Sequence, residues 1–79
     1  MLRQWFRAMD MRKLVGDNCL RIRLKRGLTQ EQLAERSGLT QQYLSDLERG
    51  KRNPTIVTIW EIAQALEVSH EELVRVLAE

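Results

Sequence analysis

The 79-residue sequence has little of several residue types, and each shortage excludes a class of protein. One cysteine cannot form a disulfide within the chain, and one cysteine with one histidine cannot build a zinc site. No apolar run approaches the roughly 18 residues that a membrane helix needs. The sequence also lacks a histidine pair, a carboxylate constellation and a glycine-rich phosphate loop. We therefore expect no catalysis, no cofactor and no metal site.

Length and composition predict one small folded domain. An apolar share of 43% suffices for a small core, and four glycines with one proline argue against disorder. The length leaves no room for a separate ligand-binding domain, so we expect no small-molecule effector. The N-terminus lacks the basic-then-apolar layout of a secretory signal. We therefore expect a cytoplasmic protein of a prokaryote or of a host carrying a phage.

The formal net charge is only +2, but the charges are unevenly distributed. Residues 1–26 carry eight basic and two acidic side chains, whereas residues 53–79 carry one basic and five acidic. This polarity suits a chain with one phosphate-facing side and one side facing solvent or a partner. An ordinary solvated surface would give the same polarity.

Two short helices joined by a tight turn are predicted between residues 28 and 53. They run from about Gln30 to Ser37 and from about Gln41 to Glu48. Each follows a threonine, Thr29 or Thr40, whose hydroxyl can accept a hydrogen bond from an unpaired N–H of the first turn. Gly38 lies between the helices, where a positive φ costs little because glycine has no Cβ.

The side chains of these two helices fit a steep crossing with one polar outer face. Leu33 and Ala34 share one face of the first helix, and Leu44 and Leu47 share one face of the second. The outward residues of the second helix are polar, and several can hydrogen-bond to base edges: Gln41, Gln42, Ser45, Asp46 and Arg49. A helix-turn-helix places such a helix in the DNA major groove.

A wider pattern surrounds these two helices. It comprises Arg23, Gly27-Leu28-Thr29-Gln30, Leu33-Ala34, Gly38, Leu44, Leu47-Glu48-Arg49-Gly50, Pro54, Ile62-Ala63 and Ala65-Leu66. In this pattern the chain resembles the lambda-repressor and Cro type of helix-turn-helix regulator, also called the XRE family, over about residues 14–77. The resemblance implies an all-α, five-helix DNA-binding domain at residues 11–79, with helices 2 and 3 as the helix-turn-helix. Residues 1–10 form an extension outside the pattern.

Three further helices complete the predicted fold. They span about Asp10 or Met11 to Lys25, Ile56 to Leu66, and His70 to Leu77. The predicted core residues are Val15, Cys19 and Ile22 in helix 1, and Ile59, Ile62, Ala63 and Leu66 in helix 4. Two capping boxes are predicted, Thr29 with Gln32 and Ser69 with Glu72.

The resemblance also assigns roles around the helix-turn-helix. In the family, an arginine at the position of Arg23 pairs with a glutamate at the position of Glu48, which ties helix 1 to the recognition helix and places Arg23 near the DNA backbone. A glutamine at the position of Gln30 bonds a phosphate, which the free N–H groups of a helix N-terminus favour, although Gln30 could instead only cap its helix. The predicted backbone-contacting residues are Arg23, Thr29, Gln30, Thr40, Tyr43, Arg49, Lys51, Arg52 and Asn53.

Base reading is predicted for the recognition helix, residues 41–49. Gln41 and Gln42 are the first candidates, because a glutamine can offer a donor and an acceptor together to adenine N7 and N6. Ser45 and Asp46 occupy the next turn. A carboxylate is unexpected beside phosphate; Asp46 could accept from cytosine N4, or hold Gln42 or Arg49 in place.

An apolar surface beyond the needs of the core predicts a dimer interface. Its residues are Val57, Trp60, Gln64, Val74 and Leu77. A two-fold homodimer would set two recognition helices about one DNA turn apart on a near-palindromic operator. In a monomer, Trp60 could instead pack against Trp5 and Phe6 of the extension.

The sequence thus predicts a sequence-specific regulator of transcription that binds double-stranded DNA as a homodimer. The alternative is a protein-interaction module, antitoxin-like or a partner of a transcription factor, in which DNA binding is secondary. The acidic helices 4 and 5 favour that alternative. Repression by promoter occlusion and activation by contact with polymerase both stay open.

Overall fold

The computed structural model describes residues 10–77, and this part of the chain contains five helices. They are α1 (Met11–Lys25), α2 (Gln30–Ser37), α3 (Gln41–Glu48), α4 (Ile56–Leu66) and α5 (Glu71–Val74). No strand occurs in this range, so the all-α prediction is confirmed. The predicted bounds of the first four helices agree with the structure. The predicted packing of Trp60 on Trp5 and Phe6 lies outside the described residues.

Side-chain caps fix the starts of the first four helices. Asp10 Oδ1 accepts from the N–H groups of the second and third residues of α1. The hydroxyls of Thr29, Thr40 and Thr55 each accept from the backbone N–H three residues later. The predicted capping box of Thr29 with Gln32 is confirmed, because Gln32 Oε1 also accepts from the Thr29 N–H at 2.9 Å. Each cap satisfies an N–H that the helix itself leaves unpaired.

One apolar core joins all five helices. α1 packs on α3 and α5, while α2 packs on α3 and α4. The fully buried side chains are Cys19, Leu33, Leu44, Leu47, Ile62, Leu66 and Leu73. Among the predicted core residues, only Ile59 is partly buried rather than buried. The periodic apolar stripes therefore face the core as their spacing predicts.

Gly16 lets α1 and the end of α3 approach each other closely. A Cβ at this position would overlap the Leu47 carbonyl oxygen and would lie 3.1 Å from the Glu48 carbonyl carbon. Both atoms belong to backbone, which cannot rotate out of the way as a side chain can. A glycine in mid-helix costs about 0.5–1 kcal/mol relative to alanine. Here that cost is offset because the recognition helix can lie against α1.

The last helix is shorter than predicted, and its predicted capping box is wrong. α5 ends at Val74 rather than Leu77, and Arg75 is extended with φ −73° and ψ 133°. The buried Asn18 explains the stop, because its Nδ2 donates to the carbonyl oxygens of Leu73 and Arg75, both at 2.9 Å. The Leu73 carbonyl would accept within a helix that continued to Leu77.

The hydrogen bonds at the start of α5 also differ from those predicted. His70 precedes the helix with φ −58° and ψ −25° and makes no side-chain cap. Ser69 Oγ accepts from the Glu71 N–H at 3.3 Å, and the Glu72 carboxylate pairs with Arg75 at 3.0 Å instead of turning back to Ser69. The Ser69–Glu72 spacing therefore does not produce a capping box here.

Glu67 ends α4 in a left-handed conformation that a residue with a Cβ rarely adopts. Its φ is 61° and its ψ is 41°, and its N–H donates to the carbonyls of Ala63 and Gln64. We expect Glu67→Gly to raise the free energy of unfolding by up to about 1 kcal/mol, because glycine has no steric penalty at this position. Urea unfolding followed by circular dichroism measures the change. Arg26 contacts the Glu67 backbone carbonyl at 3.1 Å, a bond that glycine keeps. Glycine removes only the exposed ion pair of the Glu67 carboxylate with Arg26 at 3.8 Å, and such surface pairs contribute little.

A matched Glu61→Gly variant provides the control for that experiment. Glu61 is exposed in the middle of α4, where glycine should lower stability by about 1 kcal/mol. Equal losses in the two variants would show that the left-handed conformation at Glu67 carries no penalty.

Candidate nucleic-acid interface

α2, the turn at Gly38 and α3 form a helix-turn-helix. Gly38 has φ 80° and its N–H donates to the Ala34 carbonyl at 2.9 Å, which closes the end of α2. Leu44 and Leu47 of α3 are fully buried. The helix is therefore fixed on its inner side, and its opposite side is left to solvent.

A buried ion pair joins α1 to the end of α3. Arg23 donates from Nε to Glu48 Oε2 at 2.7 Å and from a terminal nitrogen to Glu48 Oε1 at 3.0 Å. Arg23 also donates to the Leu28 carbonyl at 2.8 Å. The bonds to Glu48 raise the pKa of Arg23. The structure thus brings together the two residues that the resemblance pairs.

The Glu48 carboxylate has two more partners. Gln30 Nε2 donates to Glu48 Oε1 at 3.0 Å, and Cys19 Sγ lies 3.7 Å from Oε2. Burial, followed by the charge of Glu48, raises the pKa of the Cys19 thiol to about 12. α1, the N-terminus of α2 and the C-terminus of α3 therefore meet at one carboxylate.

The outward side of α3 carries the predicted base-reading residues. Gln41 and Gln42 are exposed, and Ser45 and Asp46 are partly buried. Gln42, Asp46 and Arg49 recur at a spacing of four and three residues, which places them on one stripe opposite the buried leucines. This stripe is polar, and it is exposed at both ends and partly exposed at Asp46.

Asp46 is the centre of a cluster of side chains on that stripe. Its Oδ1 accepts from Gln42 Nε2 at 3.1 Å and from the Arg49 guanidinium, and its Oδ2 lies 3.9 Å from Arg52 Nε. The bond from Arg49 holds the pKa of Asp46 below its ordinary value, and Gln42 and Arg52 act in the same direction. Of the two roles that the sequence left open for Asp46, the structure shows it holding Gln42 and Arg49.

A basic loop of residues 50–53 follows α3 and folds back beside it. Gly50 starts the loop with φ 76°, and the Lys51 N–H donates to the Asp46 carbonyl at 2.9 Å. The Arg52 guanidinium lies 5.0 Å from the centre of the Tyr43 ring, within the range of a cation–π contact. Lys51, Arg52 and Asn53 are exposed. The loop therefore places positive charge along one flank of α3.

The predicted phosphate-contacting residues differ in how accessible they are. Arg49 and the three loop residues are exposed, as are the capping threonines Thr29 and Thr40, whereas Gln30 and Tyr43 are partly buried. The Arg23 side chain is only 9% exposed and has three of its N–H groups in internal hydrogen bonds. The structure thus supports Arg23 as a structural residue and gives no support to its predicted contact with the DNA backbone.

Sequence reasoning missed two residues that shape this region. Lys13 lies beside the loop, since its Cα is 3.2 Å from the position that a Cβ on Gly50 would take. Only the tertiary fold brings these distant positions together. Asn18 is buried and holds the C-terminal segment against α1. Its position in the apolar stripe of Val15, Cys19 and Ile22 was a readable signal, because a polar residue there needs buried partners.

Comparison with known proteins identifies the family. The HTH_3 family, described as helix-turn-helix, matches residues 20–73. The chain belongs to this helix-turn-helix family. The chain is 67% identical over 66 residues to the uncharacterized HTH-type transcriptional regulator y4dJ of Sinorhizobium fredii, a match that covers 84% of this chain and 86% of the relative. The chain is thus a DNA-binding transcriptional regulator of the XRE type, here called the regulator.

Control proteins are also similar to the regulator. The control protein C.SmaI of Serratia marcescens is 40% identical over 65 residues, covering 82% of this chain and 77% of that protein. The crystal structure of the restriction-modification controller protein C.AhdI from Aeromonas hydrophila matches with a TM-score of 0.76 and 39% identity. That match covers 78% of this chain and 94% of the controller. The five-helix fold is therefore shared with solved regulators.

The regulator has an exposed apolar surface formed by α4, α5 and the segment that follows. The exposed fractions are 64% for Val57, 51% for Trp60 and 52% for Leu77. A groove between the two helices is lined by Ile56, Ile59, Trp60, His70 and Val74. All five predicted interface residues, including Gln64, are exposed.

Within residues 10–77, no helix is both long and apolar enough to cross a membrane.

Proposed function

We propose that the regulator reads a specific operator sequence with α3 in the major groove. The observation that carries this proposal is the polar, accessible stripe of α3, fixed from behind by fully buried leucines and by the Arg23–Glu48 pair. A rigid helix with hydrogen-bonding side chains on its outer face is what direct reading of base edges requires. The relatives named as transcriptional regulators and control proteins support the same activity.

Base contacts are assigned to the first two turns of α3. Gln41 and Gln42 lie in the first turn after the Thr40 cap and are exposed. Each can form the paired hydrogen bonds that select adenine. Ser45 lies one turn further along, and Asp46 acts beside it through the residues it binds.

Phosphate contacts are assigned to both sides of this reading surface. Lys51, Arg52 and Asn53 follow α3, and the Thr29–Gln30 segment begins α2, where N–H groups favour an anion. Such contacts supply affinity and register rather than sequence choice. They also make binding strongly dependent on salt.

A homodimer completes the proposal. Two copies joined through the α4–α5 apolar surface would present two α3 helices to a near-palindromic operator, about one DNA turn apart. Binding there would regulate a promoter by occlusion or by contact with polymerase. Occupancy would follow protein concentration through dimerisation. DNA binding of this kind fits a location in the cytoplasm of a prokaryote or of a host carrying a phage.

Salt titrations of DNA binding test the operator proposal. We expect the wild-type protein to prefer a fragment from upstream of its own gene over unrelated duplex by about a thousandfold or more, with a steep salt slope for both. Gln42→Ala should weaken binding to the upstream fragment by about 10- to 100-fold, because a paired contact to one base is lost. Fluorescence anisotropy with labelled duplexes measures both quantities.

The matched control is Glu35→Ala, which truncates an exposed residue of α2 outside the reading stripe. It should leave both affinities within about threefold of wild type, a surface change of this kind being nearly neutral. Equal binding to the two fragments by wild type would contradict the operator proposal and favour a protein partner as the main target.

A further inference from the structure

The Asp46 cluster has a property that base reading and phosphate binding do not explain. A carboxylate stands in the middle of the stripe that would face DNA, where phosphates repel it. Both of its oxygens face positive or donor groups of the same surface, Gln42 and Arg49 on one side and Arg52 on the other. Asp46 therefore affects three predicted DNA-contacting residues at once.

The bond to Gln42 fixes which end of its amide points where. A carboxylate only accepts hydrogen bonds, so Asp46 can bind the NH₂ end of Gln42 and not the carbonyl end. The 3.1 Å contact from Gln42 Nε2 leaves the second N–H and the carbonyl oxygen free for a base. Adenine offers an acceptor at N7 and a donor at N6, which matches that fixed order. An asparagine at position 46 could bind either end of the Gln42 amide, because its own side chain both donates and accepts.

The bonds to Arg49 and Arg52 act on binding to any DNA. Arg49 donates to Oδ1, and Arg52 is held between Oδ2 at 3.9 Å and the Tyr43 ring at 5.0 Å. A phosphate that recruits either arginine must compete with this carboxylate and is itself repelled by it. Both effects weaken contacts that carry no sequence information.

We propose that Asp46 is a specificity-determining positioning residue: it orients the Gln42 amide toward one base and restrains Arg49 and Arg52 from binding phosphates of unrelated DNA. The inference rests on the proposed function, since it assumes that this stripe faces the major groove. Asp46 raises the ratio of operator affinity to non-specific affinity without contacting a base.

Asp46→Asn tests the inference, with Glu35→Gln as the control of equal charge change. We expect Asp46→Asn to tighten binding to unrelated duplex about tenfold and to steepen its salt slope by about one for every arginine that gains a phosphate contact. The preference for the upstream fragment should fall at least tenfold. Glu35→Gln should change neither the slope nor the preference. Because Asp46 lies on the outer surface, thermal unfolding should show both variants folded.

Single base substitutions in the upstream fragment give a second readout. Wild type should discriminate at the base pair that Gln42 reads, and Asp46→Asn should lose about tenfold of that discrimination while the other positions keep theirs. A general loosening of the fold would affect all positions alike and would overturn the inference. An Asp46→Asn preference equal to that of Glu35→Gln would overturn it too. A wild type without any preference would instead refute the operator proposal itself.

Discussion

Replacing Glu48 with alanine is expected to lower the free energy of unfolding by about 3–5 kcal/mol. The change leaves the Arg23 guanidinium buried without its carboxylate, and burial of an unpaired charge is strongly unfavourable. Gln30 loses its bond to the same carboxylate. Small domains are stable by only about 5–15 kcal/mol, so this loss would remove a large share of the free energy of unfolding. Urea unfolding followed by circular dichroism measures the loss.

Two further variants distinguish the loss of the ion pair from the loss of a glutamate side chain as such. Glu35→Ala removes an exposed glutamate from α2 and should cost less than about 0.5 kcal/mol. The double variant Arg23→Leu with Glu48→Leu removes both charges and should recover most of the stability, because apolar residues can replace a buried pair. A Glu48→Ala loss below about 1 kcal/mol would mean that the pair behaves like one at the surface.

Trp60→Glu is expected to raise the dissociation constant of the proposed dimer at least a hundredfold. Trp60 is half exposed and lines the α4–α5 groove with Ile56 and Val74. Tryptophans contribute strongly to interfaces, and a carboxylate in their place would be buried without a partner. At concentrations where wild type is dimeric, operator binding should weaken correspondingly. Sedimentation equilibrium measures the dissociation constant, and anisotropy measures the binding.

Leu24→Glu provides the matched control, because Leu24 is also an exposed apolar side chain, 61% exposed, but lies on α1 outside the groove. It should leave both the dissociation constant and operator binding unchanged within about threefold. If Trp60→Glu and Leu24→Glu sediment alike as dimers, the dimer forms through another surface.

The first four helices could be predicted because their signals are local. Apolar residues at helical spacing and a threonine or aspartate cap lie within the segments themselves. The helix-turn-helix then follows, since its turn requires only the positive φ of Gly38. The family resemblance added the Arg23–Glu48 pair, which joins residues far apart in sequence and which no local pattern predicts.

The parts that could not be predicted depend on tertiary contacts. α5 stops early where Asn18 of α1 binds the carbonyl of Leu73 in α5 and that of Arg75 just after it. The position of Asn18 indicates that it needs buried partners, but the sequence around Leu77 does not indicate which carbonyls those partners are. The Asp46 cluster forms only when the loop brings Arg52 back beside α3.

The rate at which the buried Cys19 thiol is alkylated can report how often the regulator opens. With the side chain fully buried and its pKa raised to about 12, almost no thiolate exists at neutral pH, and reagents cannot reach the sulfur. Alkylation must therefore wait until α1 separates from α3. The alkylation rate consequently measures how often α1 and α3 separate. A bound operator should lower that rate in proportion to its occupancy.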